Sequence, residues 1–267
     1  MKKPTLILLL FTVTLLTTAC GQNKDTTQTD AKEPLETKDV VQTPDTIAEK
    51  YLLGQYDPAK EKDFSLIAPK YTNKTGIYMR TEAYDAFIAM RDSALKDGIT
   101  LTIVSATRTF WHQKTIWENK WNGRQYVGGK LLNVAFPDPT QRALEILKYS
   151  SMPGTSRHHW GTDIDINSVD PAYFKTAYGI KVLAWLEQHA PDFGFCRPYT
   201  PFGEGRTKGY QPEEWHWTYI PISCKFQEAY KNQIKYTDIE GFDGDETAFT
   251  TRVIDNNVFG VDVKCCK

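Results

Sequence analysis

The sequence predicts an α+β fold. Several stretches carry apolar residues at helical spacing, short alternating or β-branched runs lie between them, and no internal repeat is visible. Helices and mostly non-parallel strands, each in a layer of their own, make that class. From Thr81 to Lys96, Tyr84, Phe87, Ile88, Met90, Ala94 and Leu95 follow helical spacing, and Gly98 lies just past the end. In 99–105, Leu101 and Ile103 alternate with Thr100 and Thr102, which predicts a strand. Arg108 then falls just beyond it, where a side chain can reach a cleft. Residues 109–121 read as a helix. The Gly-containing stretch 122–137, ending in Phe136-Pro137, reads as a loop or hairpin insertion. A helix follows over 140–149, with Ala143, Leu144, Ile146 and Leu147 on one side. A short strand is predicted at 162–166, a helix at 180–189 and a further strand at 215–220.

The ends differ from this middle. Lys2 and Lys3 precede an apolar run from Leu6 to Leu16, too short to span a membrane comfortably, and Thr17, Thr18 and Ala19 lead into Cys20-Gly21. The pattern resembles a bacterial lipoprotein signal. It implies a signal peptide at 1–19, a lipid anchor on Cys20 and an exported protein held at a membrane, facing the periplasm or the exterior. Residues 20–46 are rich in Thr, Lys, Asp, Glu and Gln, a composition that buries too little apolar surface to fold, so a flexible tether is expected. One globular domain fits the remainder. Net charge is −1, from 32 basic and 33 acidic residues, with no basic block or stripe, which argues against nucleic acid as a partner.

The chemistry concentrates in two segments, Ser156-Arg157-His158-His159-Trp160-Gly161-Thr162-Asp163-Ile164-Asp165 and Glu213-Glu214-Trp215-His216, which together hold three of the five histidines. Catalytic zinc takes three ligands from His, Asp and Glu and keeps a position open for water. His158, Asp165 and His216 would supply two nitrogens and an oxygen, and Glu213 or Glu214 a base. On one helix His158 and Asp165 would stand two turns apart, so a strand or turn containing Gly161 is needed to bring them together. Asp163 shares a strand face with Asp165 and is either a residue that orients a ligand or a competitor for the metal. His159, His112 and His189 read as structural histidines.

These residues carry a resemblance. Ser156-x-His158 with Gly161 and Asp165, Glu213-x-Trp215-His216, and Ser105-Ala106-Thr107-Arg108-Thr109 with Gln113 resemble, in order, three signatures of the VanY-type zinc D-alanyl-D-alanine carboxypeptidases. The resemblance covers roughly residues 60–222. It implies a small antiparallel sheet bearing zinc on one face, with helices packed on the other; the peptidase domain itself is expected over 47–238, after the tether. It further implies His158, Asp165 and His216 as Zn2+ ligands and removal of a terminal D-alanine from peptidoglycan stem peptides. L,D-carboxypeptidase or endopeptidase action on the same peptides, or a non-catalytic cell-wall-binding lipoprotein, are the alternatives. Strand period would choose Glu214 as base; the family pattern chooses Glu213, and Glu213 is taken with Glu214 as its rival. Arg108, with Gln113 and Ser156, would bind the substrate's terminal carboxylate or stabilise the oxyanion. Trp215 is expected to pack beneath the site.

Residues 239–267 lie outside the resemblance, and their acidic, Gly-containing start offers little to anchor them. Besides Cys20 there are four cysteines, an even number that favours disulfides in an exported chain, and no C-x-x-C pair that would suggest a zinc ribbon. A bond between the neighbours Cys265 and Cys266 would close a strained ring. The expectation is that the tail is joined to Cys196 and Cys224.

Overall fold

Short strands separated by helices fill residues 46–266, which are the residues the computed structural model describes. In order they are α1 (Glu49–Leu53), β1 (Phe64–Leu66), β2 (Tyr78–Arg80), α2 (Thr81–Lys96), β3 (Ile103–Ser105), α3 (Phe110–Trp121), β4 (Tyr126–Val127), β5 (Lys130–Leu131), α4 (Leu132–Ala135), α5 (Pro139–Ile146), β6 (Asp163–Ile166), α6 (Ala177–His189), β7 (Phe195–Cys196), β8 (His216–Tyr219), α7 (Ile220–Gln233) and α8 (Ala248–Thr251). The expected signal peptide, Cys20 and nearly all of the tether lie outside the described residues.

The fold is α+β, as predicted. Its central sheet has the order β3-β6-β8-β7, antiparallel throughout, and two small hairpins, β1-β2 and β4-β5, stand apart from it. The insertion at 122–137 is the second hairpin followed by α4. Alternation in the central strands divides their side chains. Ile103, Ile164, Ile166, Trp217 and Tyr219 enter a core shared with Phe87 and Met90 of α2 and Val182 and Leu186 of α6. Asp163, Asp165, His216 and Thr218 take the other parity.

Local chemistry sets where the elements begin. Thr109 accepts from His112 N–H and starts α3, and Thr176 accepts from Gly179 N–H, so α6 starts three residues earlier than its apolar pattern suggested. Asp138 caps α5 ahead of Pro139. The strand expected over 99–105 narrows to three residues. Thr102 N–H bonds the Asn167 side chain, and Asn167 N–H returns to Thr102 C=O, which replaces ladder bonds there.

The tail departs from expectation. Ile239, Phe242, Val253, Ile254 and Val258 are buried with Trp117, Trp121 and Tyr230 in a second core, so residues 239–258 are integral to the domain. Their apolar residues follow neither simple period, because a 3-10 turn, α8 and a π-helical turn at Ile254–Val258 succeed one another. Two disulfides, Cys196–Cys265 and Cys224–Cys266, join the tail to β7 and α7, as expected of its linkage to the core.

Candidate metal centre

The first cluster residue arrives on a single 3-10 turn, Arg157–Trp160, that stops at Gly161 with φ 73°. Glycine occupies this left-handed region without a Cβ penalty. A Cβ here would also stand 2.4 Å from the Phe64 ring. The turn tucks His158 against the sheet, and the reversal at Gly161 leads straight into β6. Register does the rest: Asp165 pairs with His216 and Asp163 with Thr218 across β6 and β8. One donor atom each from His158, Asp165 and His216 then lies within 4.8 Å of the other two, and all three residues are buried.

Hydrogen bonds decide which nitrogen each ring turns inward. His158 Nδ1 is 2.8 Å from Ala106 C=O, so it donates there, and Nε2 faces Asp165 Oδ1 at 3.4 Å. His216 donates through Nε2 to Asp163 Oδ2 at 2.8 Å, and its Nδ1 faces Asp165 Oδ1 at 3.4 Å and Glu213 Oε2 at 3.3 Å. His158 Nε2 and Asp165 Oδ1 are buried without a hydrogen-bond partner. Interiors seldom leave such atoms orphaned. Two of them converging with a third donor, as two imidazole nitrogens and one carboxylate oxygen, fit a zinc ion.

Asp163 is fully engaged elsewhere. It accepts from Arg157 Nε at 3.1 Å, Thr162 Oγ1 at 2.8 Å, Thr218 Oγ1 at 2.7 Å and His216. Of the two roles open to it in the sequence, the geometry supports the one that orients a ligand. Burial opposes its ionisation, yet the Arg157 guanidinium and His216 hold its carboxyl well below the usual range. Asp165 is likewise held low against burial, by His158 and Arg108. Burial, reinforced by the charge of Arg108, takes His158 down to about 4. His216 resists burial because Asp163 and Glu213 raise it to about 9.

Glu213 and not Glu214 reaches this cluster. Strand geometry begins only at His216, so strand period does not extend back to Glu213, which sits in irregular backbone after Pro212 with its N–H on Tyr199 C=O at 2.9 Å. Burial pushes the Glu213 carboxyl up. Arg108 places Nη2 3.3 Å from Asp165 Oδ2 and Nη1 3.1 Å from Gln113 Oε1, and Gln113 donates on to Ser151 C=O at 2.8 Å. Gln113 therefore stands behind Arg108 as its support. Ser156 Oγ is buried without a partner.

Arg108, Ser156, His158, Glu213 and His216 line a recess of about 20 Å³, room for roughly one water. A wider cleft of about 920 Å³ adjoins it and shares Arg108, Tyr149 and Glu213 with it. Trp215 is buried beside Phe174 and forms part of the cleft wall. His159 and His189 lie outside the cluster, and His112 only borders the cleft.

Four further residues surround the site. Arg157 carries no periodic signal, but an arginine six residues ahead of a buried Asp163 is a usable cue. Tyr199 and Tyr210 line the recess from irregular backbone that no pattern marks. Lys120 completes a one-face stripe with His112 and Ile116 along α3, a spacing visible in the sequence.

A family model described as VanY, D-alanyl-D-alanine carboxypeptidase, matches residues 76–222, more than half of the chain. YodJ of Bacillus subtilis (strain 168) is 32% identical over 149 residues, 54% of this chain and 46% of YodJ. A D-alanyl-D-alanine carboxypeptidase of Enterococcus faecalis (strain ATCC 700802 / V583) is 29% identical over 136 residues, 50% of this chain and 45% of that protein. The match thus spans less than half the length of either relative. Among solved structures, the LdcB LD-carboxypeptidase shares 24% identity at a TM-score of 0.48, over 71% of this chain and 82% of that one. VanYB in complex with D-alanine-D-alanine shares 24% at 0.45, over 70% and 92%. On the family match, this chain belongs to the VanY family.

Proposed function

We propose that this protein is a zinc-dependent peptidoglycan carboxypeptidase that removes a terminal D-alanine from stem peptides, acting on the D,D bond. The observation that carries the reading is the pair of orphaned buried atoms, His158 Nε2 and Asp165 Oδ1, converging with His216 Nδ1 beside Glu213. Membership of a family described as D-alanyl-D-alanine carboxypeptidase supports the substrate. The sequence pattern at Cys20 supports an exported, lipid-anchored protein that meets this substrate outside the cytoplasm.

His158, Asp165 and His216 would hold the ion. Zinc, when bound there, supplies Lewis acidity toward water and the scissile carbonyl. Glu213 takes the proton of the attacking water and passes it to the leaving amine. Burial raises its carboxyl above the ordinary value, which makes it a stronger base for that transfer. Arg108, backed by Gln113, presents a planar fork to a carboxylate or to the oxyanion, and Ser156 offers an uncommitted hydroxyl in the same recess.

The test is to load residues 47–267 with zinc, incubate them with purified muropeptides and weigh the products. Loss of one alanine from pentapeptides supports the reading. Loss from tetrapeptides alone would move it to L,D specificity, and no cleavage at all would overturn it.

A further inference from the structure

The cleft beside the recess carries a charge that the proposed reaction does not use. Lys120 sits in its wall on the same face of α3 as His112 and Ile116. It is half-buried, its ammonium donates to the Ser150 hydroxyl, and among the described residues no carboxylate lies within 4.0 Å of it. Burial and then the charge of Arg108 pull this amine down to about 8. A partly desolvated ammonium with a neutral partner gains most from an anion that arrives with a ligand.

Position says which anion. Arg108 borders both the recess and the cleft, and its two terminal nitrogens already meet Asp165 and Gln113. Lys120 borders the cleft and not the recess, although its ammonium feels the charges of Arg108 and Glu213. A peptide whose end lies at the recess would meet Arg108 first and Lys120 further along its acyl part.

We propose that Lys120 is a specificity-determining residue that binds a carboxylate carried by the acyl portion of the peptide, away from the terminal carboxylate. This rests on the carboxypeptidase reading and deepens it, since it predicts acidic stem peptides as preferred over their amidated forms.

Binding to the zinc-loaded Glu213→Gln protein tests it without turnover. The ligands are peptides ending in D-alanine that differ only in a side-chain carboxylate or carboxamide at one of the two positions before the last residue. Calorimetry should find the acid form about tenfold tighter, the size of one charge-assisted hydrogen bond. Lys120→Met in that background should erase the difference, and Lys120→Arg should keep part of it. A difference that survives Lys120→Met overturns the proposal. So does a Lys120→Met loss that follows amidation of the C-terminus instead. If acid and amide bind Lys120 protein equally, this inference falls and the peptidase reading stands. If folded, zinc-loaded protein binds neither peptide, both fall.

Discussion

His159 Nδ1 lies 2.6 Å from the carbonyl oxygen of Arg108, and its Nε2 accepts the Gly154 N–H at 3.0 Å. Arg108 N–H in turn donates to His158 C=O at 3.1 Å, and His158 Nδ1 donates to Ala106 C=O. Two adjacent histidines thus lace the segment carrying Arg108 to the one carrying the candidate ligands. A displacement of either segment would therefore shift the other.

That lacing has a pH signature. His159 is fully buried as the Nδ1–H tautomer, and burial lowers it to about 3. An unfolded histidine binds a proton near 6.5, so between about 6.5 and 3 the unfolded state holds the extra proton. The stability from this group is fully present above 6.5 and falls as pH drops through that window. His159→Gln can keep both hydrogen bonds without titrating. Its loss of stability from pH 6.5 to 4.5 should be smaller than that of the parent by about 2–3 kcal/mol. Denaturant melts of both proteins at the two pH values measure this, and parallel losses would exclude His159 as the cause.

Zinc should depend on each proposed ligand. His216→Ala leaves two donors and should abolish stoichiometric zinc, read by elemental analysis. Asp163→Asn removes the charge behind His216 and should weaken zinc by about 10–100-fold in a chelator competition, without removing a ligand. Unchanged affinity in Asp163→Asn would mean that the His216 ring is held by other contacts.

Glu213→Ala and Glu214→Ala separate the two candidate bases. Only the first should be inactive, by a factor on the order of 10²–10⁴, with zinc retained. An inactive Glu214→Ala beside an active Glu213→Ala would reverse the assignment.

Arg108→Lys should be a poor substitute. A lysine cannot bridge Asp165 and Gln113 while presenting a fork to the ligand. A drop in kcat/KM on peptides with a free C-terminus is expected, and near-parent efficiency would contradict the role.

Cys265→Ser opens the Cys196–Cys265 link, which closes a separation of 69 residues, and should cost about 2–4 kcal/mol in denaturant melts. Non-reducing peptide mapping should recover Cys196 with Cys265 and Cys224 with Cys266. A Cys196–Cys224 peptide would refute the pairing.

Much of this was legible in the sequence. Thr81–Lys96 kept its predicted bounds because helical spacing and a following glycine agree on them. His158, Asp165, His216, Glu213 and Arg108 converge because the motifs fix which residues meet at a turn, a strand and a strand start. What stayed hidden depends on contacts distant in sequence. The strand at 103–105 is trimmed by Asn167, and Arg157 acquires its place only once Asp163 and Thr218 are paired across the sheet. The tail could not be placed in the core from its composition, because its apolar residues sit on short turns without one period.

The parity of β6 and β8 binds two fates together. Ile164 and Trp217 share their strands with Asp165 and His216 but point into the opposite core. A slip of one residue would turn both acidic and imidazole groups inward and push the large apolar ones out. Genetic screens for loss of activity should therefore recover Ile164 and Trp217 replacements beside those at the donors themselves.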